Sequence, residues 1–176
     1  MQTVEQQDPT KSKSALYQDI CEQLHELIAN ETNFIANAAN TAALLFHSLP
    51  DVNWAGFYIA HGNELVLGPF QGKPACVRIP FGKGVCGAAA ERGETVTVPD
   101  VSKFDGHIAC DVHSQSEIVV PLLNWGRVLG VLDIDSGSLN RFNEDDEEGL
   151  ESVVAVFLSS QSTNDLPDLS EAAAEG

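Results

Sequence analysis

Apolar and polar positions follow two different rhythms along this chain. Over residues 14–29, Leu16, Ile20, Leu24, Leu27 and Ile28 recur every three or four positions, which predicts a helix with one apolar face. A second helix is predicted over 33–49, with Phe34, Ile35, Ala38, Ala42, Leu45 and Phe46 inward and Pro50-Asp51 closing it. The rhythm then shortens. Residues 53–60 read as a strand, His61-Gly62-Asn63 as a tight turn, and 64–67 as the returning strand of a hairpin. Residues 75–79 read as a third strand with Cys76 near its start. Gly82 and Gly84 open a short helix that ends near Gly93, and 95–98 is strand-like.

Residues 99–116 hold Gly106 with several Asp and Ser and show no period, so a long loop is expected there. Residues 118–123 and 127–134 form a hairpin around Asn124-Trp125-Gly126. A last helix runs from Asn143 to about Ser160, with Asn143 as its cap and acids in its first turn, where they suit the helix dipole. Helices at both ends, hairpins between them and no βαβ rhythm predict an antiparallel α+β domain over 14–161, with no internal repeat. The polar stretches 1–13 and 162–176 are expected to be disordered tails.

Composition narrows the function classes. The chain has 176 residues, 43% of them hydrophobic, enough for one ordinary core. Only 9 Lys and Arg stand against 26 Asp and Glu, a formal net charge of −17, which argues against nucleic acid as a partner. Much of the acidity collects at 143–148 and 166–175 and reads as solvating surface. The first 15 residues have no apolar core, and no window approaches the ~20 apolar residues of a membrane span. A cytoplasmic protein is expected, whose four cysteines are reduced by default.

Three of those cysteines are candidates for chemistry. Cys21, beside Ile20 and Leu24 in the first helix, reads as core filling. Cys76 follows the turn Gln71-Gly72-Lys73-Pro74. Cys86 falls in the first turn of the glycine-led helix, where free N–H groups and the helix dipole are expected to lower a thiol's pKa. Cys110 lies in the long loop, with His107 nearby to favour its thiolate, and is the best candidate nucleophile. His107, Cys110 and His113 together with Cys86 match no familiar zinc spacing, so no metal and no other cofactor is expected.

Asp133 and Asp135 share one face of a strand whose preceding residues are apolar on both faces, the mark of a central, buried strand. Asp135-Ser136-Gly137 suits a turn, but Asp133 between Leu132 and Ile134 does not. Glu117 opens the neighbouring strand within reach of both. Three acids in one cleft do not all ionise cheaply unless a cation enters or one keeps its proton. That arrangement suits an ammonium site or a general acid. Trp54 and Tyr58, four apart on a strand, share a face and read either as core or as a wall for a small apolar group.

Several segments in order carry a resemblance: Asp51-Val52-Asn53-Trp54-Ala55-Gly56-Phe57-Tyr58, Leu67-Gly68-Pro69-Phe70-Gln71-Gly72, Gly82-Lys83-Gly84-Val85-Cys86-Gly87, Gly106-His107-Ile108-Ala109-Cys110-Asp111, Ser116-Glu117-Ile118-Val119-Val120-Pro121 and Gly130-Val131-Leu132-Asp133-Ile134-Asp135-Ser136. Together they resemble the free methionine-R-sulfoxide reductases, a GAF-domain family, from about Tyr17 to Ser160. The resemblance implies that Cys110 attacks the sulfoxide sulfur and becomes a sulfenic acid, that Cys76 resolves it as a disulfide, and that Cys86 is a secondary thiol. It implies that Glu117, Asp133 and Asp135 surround the polar groups of free methionine-R-sulfoxide, with Glu117 or Asp135 assisting the chemistry. Trp54 and Tyr58 would line the methyl pocket, and thioredoxin would be the reductant. Pairing into a homodimer is an arrangement the resemblance admits. Cys21 matches nothing in the family pattern.

The residues alone reach part of this reading. A loop thiol, a second thiol at a helix start and clustered acids suggest cysteine redox chemistry on a small polar or cationic substrate. They do not single out a sulfoxide. The rival from another class is a GAF sensor that binds a small ligand without turning it over. An output domain, which a sensor normally accompanies, is not expected in a chain of this length, and a sensor has no need of three thiols at one pocket.

Overall fold

The computed structural model describes residues 11–106 and 113–161. Four helices, α1 (Lys13–Ile28), α2 (Phe34–Ser48), α3 (Gly84–Arg92) and α4 (Glu144–Ser159), pack on a sheet of six strands. The strands are β1 (Trp54–His61), β2 (Glu64–Gly72), β3 (Arg78–Pro80), β4 (Val96–Val98), β5 (Ser116–Asn124) and β6 (Arg127–Ser136). Their order across the sheet is β3-β2-β1-β6-β5-β4, and every pairing is antiparallel. The α+β class expected from the pattern is the architecture found. Among the described residues, no helix is long and apolar enough to cross a membrane.

Strand alternation divides the molecule into two cores. Ala55 and Phe57 of β1, Ile118, Val120 and Leu122 of β5, and Leu132 and Ile134 of β6 face α1, α2 and α4. Trp54 and Tyr58, Val119 and Val131 face the other way, toward α3 and its Val85, Cys86, Ala89 and Ala90. Because β1, β6 and β5 are adjacent in the middle of the sheet, both faces of β6 are covered, as its continuous apolar run requires.

Three local expectations change. Ile35 is 56% exposed rather than inward. The buried face of α2 runs through Phe34, Asn37, Ala38, Thr41, Ala42, Leu45 and Ser48, and its polar members Asn37 and Thr41 bond locally. Asn37 Nδ2 donates to Glu31 O (2.9 Å) and Thr41 Oγ1 to Asn37 O (2.7 Å), so helical spacing outranks hydrophobicity at this face. β2 runs on to Gly72 instead of stopping at Leu67. Gly56 pairs with Phe70 and Tyr58 with Leu67, so Gly68 and Pro69 together oppose Phe57 in a bulge that tolerates the proline. β3 begins at Arg78, which leaves Cys76 in the loop before it rather than on a strand.

Asp146 ties α1 to the start of α4. It completes a capping box with Asn143, and is fully buried while accepting from Tyr17 Oη (3.0 Å), Arg141 Nη1 (2.9 Å), Asn143 N (2.9 Å) and Lys13 Nζ. The close approach of α1 and α4 at this point needs Gly149, where a Cβ would lie 2.2 Å from the Tyr17 ring. Burial acts to raise the Asp146 pKa, but Lys13, the Asn143 N–H and Arg141 outweigh it and hold the carboxyl below its ordinary range. Asp146→Ala strands the buried Arg141 and Tyr17 polar groups, and is expected to cost about 3–5 kcal/mol in urea unfolding at pH 7. A carboxyl with a depressed folded pKa stabilises above its unfolded pKa and loses that contribution as pH falls through the folded value. The gap between wild type and variant should therefore narrow in acid.

Candidate active site

Residues directly opposed across an antiparallel ladder point to the same face, so the register builds the site row by row. In one row Trp54 of β1 pairs with Asp135 of β6, and Asp135 with Glu117 of β5. In the next, Gly56, Asp133 and Val119 stand side by side, and Tyr58 pairs with Val131 beyond them. Three acids and two aromatics thus occupy one end of the α3-facing surface. Gly56 is required there, since a Cβ would meet Phe70 Cβ at 2.3 Å and the Trp54 ring at 2.7 Å.

The aromatic wall is a stack of three. Trp54 lies on Tyr58 at 5.9 Å between centroids and on Phe70 at 5.3 Å. Its Nε1 donates to Lys73 O (3.0 Å), and Tyr58 Oη donates to Cys76 O (3.0 Å). The two aromatic residues therefore fasten the loop that carries Cys76. Phe70 escaped the sequence reading because Gly68-Pro69 looked like the end of the strand. Its spacing from Leu67 makes sense only once the bulge is known.

α3 lays its first turn over the acids. Cys86 is 4% exposed, and its thiol donates toward Glu117 Oε1 across 3.8 Å. Cys86, Glu117 and Asp133 each bring a donor atom into one group whose members all lie within 4.8 Å of one another. Asp133 Oδ1 is buried and has no hydrogen-bond partner among the described residues. Asp135, two residues on, is only half-buried and stands at the mouth.

The electrostatics follow from burial. The Glu117 carboxyl is driven well above the ordinary range by desolvation first, then by the charges of Asp133 and Asp135. Asp133 is pushed up to about 7, again chiefly by burial. The Cys86 thiol is also driven well up, by burial first and then by Asp133 and Glu117. This overturns the expectation of a lowered thiol pKa at that helix start. A helix dipole contributes about 0.3–1 kcal/mol to an anion, too little against desolvation and two neighbouring acids.

Cys21 is half-buried on the opposite, α1 side of the sheet, packed on the core as expected. Cys21 and Cys86 are free thiols, and Cys76 is disulfide-bonded. Cys110 and His107 lie outside the described residues, while His113 is exposed. The described residues on either side of 107–112 are anchored beside the acids. Val101 N donates to Gln115 O (2.9 Å) and Gln115 N to Ser136 O (2.7 Å). Asn53 Nδ2 donates to Ser114 Oγ (3.3 Å), next to Trp54.

Comparison with known proteins agrees with this arrangement. The GAF domain family model matches residues 15–160. The free methionine-R-sulfoxide reductase of Escherichia coli is 51% identical over 154 residues, covering 88% of this chain and 93% of that protein. The one from Saccharomyces cerevisiae is 46% identical, over 81% of this chain and 86% of its own length. The X-ray structure of the Neisseria meningitidis free methionine-R-sulfoxide reductase, in complex with its substrate, superposes with a TM-score of 0.84 at 44% identity, covering 90% of this chain and 95% of that one. With likeness of this depth over nearly the whole length of those relatives, the chain belongs to the GAF-domain family and, within it, to the free methionine-R-sulfoxide reductases.

Proposed function

We propose that this protein reduces free L-methionine (R)-S-oxide to L-methionine by cysteine chemistry and is recycled by thioredoxin in the cytoplasm. The observation that carries the reading is the acid cluster of Glu117, Asp133 and Asp135 set against an aromatic stack that is itself fastened to the Cys76 loop. A free amino acid sulfoxide presents an ammonium group, a polarised S–O bond and a methyl group, and this cleft answers each in turn.

Cys110 is the nucleophile. Its thiolate attacks the sulfoxide sulfur while a carboxylic acid delivers a proton to the oxygen. Collapse releases methionine and leaves the oxygen on Cys110 as sulfenic acid. The Cys76 thiol then displaces water from that sulfenic acid to form a disulfide, and the thioredoxin dithiol reduces it by exchange. Two electrons pass from thioredoxin to the sulfoxide, with water as the second product. Among the acids, Glu117 is best suited to hold the proton, since burial first and then its acidic neighbours drive its carboxyl well above the ordinary range. Asp133 and Asp135 hold the ammonium, and Trp54 and Tyr58 take the methyl. Cys86, buried and held protonated, is a slow secondary thiol.

The direct test is NADPH oxidation with thioredoxin, thioredoxin reductase and free methionine (R)-sulfoxide. Turnover is expected, and a folded, reduced protein that consumes no NADPH would overturn the reading. A binding experiment checks the acids separately. Burial pushes the Asp133 carboxyl up to about 7, and an ammonium stabilises its ionised form, so binding releases a proton. Calorimetry should find that free methionine binds several-fold more tightly as pH rises from 6 to 8, and that Asp133→Asn flattens this dependence. A pH-independent wild-type affinity would show that Asp133 does not face the ammonium.

A further inference from the structure

We propose that Cys86, Glu117 and Asp133 form a binding site for a thiophilic divalent cation, with Zn2+ as the natural occupant, which closes the cleft to substrate when bound. The second half of this proposal rests on the functional reading above. The first half stands on geometry alone.

One thiol and two carboxylates offer donor atoms that all lie within 4.8 Å of one another, with Cys86 Sγ 3.8 Å from Glu117 Oε1. Around a tetrahedral zinc ion, with Zn–S of about 2.3 Å and Zn–O of about 2.0–2.2 Å, neighbouring donors stand roughly 3.5 Å apart. Side-chain rotations that move the donors by up to about 1 Å bring them from within 4.8 Å to that spacing. The three residues come from separate elements of the packed core, α3, β5 and β6, which hold them without help from a loop.

A second observation, on the hydrogen bonding of one member, also points to a ligand. Asp133 is 6% exposed, yet its Oδ1 has no partner among the described residues. A buried carboxylate oxygen left unmatched costs free energy, and such groups mark the place of an ion or donor. In turnover the substrate's ammonium meets this need. Between turnovers a small cation meets it at shorter range and adds the thiolate as a ligand.

The donor set selects the ion. A thiolate is a poor ligand for Mg2+ and Ca2+, which prefer six or more oxygens, whereas sulfur with carboxylate oxygens suits Zn2+. Three protein ligands leave a fourth position toward the mouth, where Asp135 stands. An ion here occupies the space the ammonium needs. It also ties up the Cys86 thiol and both inner acids, so substrate and metal bind exclusively of one another.

The experiment uses the full chain, reduced with a phosphine so that no thiol reagent competes. Zn2+ is titrated against a chromophoric chelator, and Co2+ reports thiolate coordination through its charge-transfer absorption. We expect one ion per chain, unaffected by excess Mg2+ and displaced by free methionine. Cys86→Ser should abolish the charge-transfer band. Cys86→Ser and Asp133→Asn should each weaken zinc by at least about 10-fold to 100-fold, with circular dichroism confirming that each is folded. The Cys76→Ser/Cys110→Ser double variant should bind as wild type does. In the thioredoxin-coupled assay, Zn2+ should raise KM for the sulfoxide without lowering kcat. Absence of binding, binding lost in the double variant, or affinity unchanged in both Cys86→Ser and Asp133→Asn overturns the site. Binding without competition overturns the closing role. A protein that binds zinc as described but reduces no sulfoxide overturns the functional reading and leaves the metal site intact, so the two failures are distinguishable.

Discussion

Cys110→Ser is expected to lose sulfoxide reduction by on the order of 10^4-fold or more. A serine hydroxyl is not ionised near neutral pH, is a weak nucleophile toward sulfur, and has no counterpart to the sulfenic acid that Cys76 must attack. The contrast with Cys76→Ser makes this prediction diagnostic. That variant keeps the nucleophile and loses the partner, so it should release about one methionine per chain in a single burst and then stall with thioredoxin present. Dimedone should label the stalled enzyme, because the sulfenic acid persists. Chromatographic detection of methionine over the first turnover separates the two cases. Substantial steady-state activity in Cys110→Ser would remove Cys110 from its role. Normal steady-state activity in Cys76→Ser would pass the resolving role to the buried Cys86.

The second large effect concerns which sulfoxides are accepted. Masking the α-amino group, as N-acetyl-methionine (R)-sulfoxide or as a residue within a peptide, should lower kcat/KM by on the order of 100-fold or more relative to the free amino acid. Glu117 and Asp133 are 7% and 6% exposed and stand beside Asp135. A neutral amide nitrogen brings them no charge, offers one donor in place of three, and adds the bulk of the acyl group. The free (S)-sulfoxide should fare equally badly. In the proposed binding pose, with the methyl against Trp54 and Tyr58 and the ammonium against the acids, inverting sulfur directs its oxygen away from Glu117. A panel of free R, free S, N-acetyl R and internal peptide R substrates, each with excess thioredoxin, measures both effects. Comparable kcat/KM for acetylated and free R forms would show that the acid cluster does not read the ammonium.

Much of the site was legible before any coordinates, and for a definite reason. Trp54 with Tyr58, and Asp133 with Asp135, sit an even number of residues apart on strands, and strand geometry alone then places each pair on one face. The β5–β6 hairpin brings Glu117 opposite Asp135 because a short turn leaves little freedom of register. The helix with its Asn143 cap, the Gly93 terminus of α3 and the order of the elements are likewise local properties of the chain. Family-level resemblance added roles for individual cysteines that no spacing contains.

Other features depended on how distant segments meet. The bulge that carries β2 past Gly68-Pro69 exists because β1 offers a partner on the far side, and it alone brings Phe70 onto Trp54. Asn37 and Thr41 turn inward because the spacing of α2 puts them under α1 and the sheet, whatever their polarity. Cys86 shows the division most clearly. Its place at a helix start is local and favours a thiolate, whereas its neighbours come from β5 and β6 and its burial from the whole α3 face of the sheet. Sequence by itself determined which residues share a face, because that follows from the period of the backbone. Only the tertiary structure decided the charge those residues carry, because desolvation and the approach of Asp133 and Glu117 are sums over elements far apart in the chain.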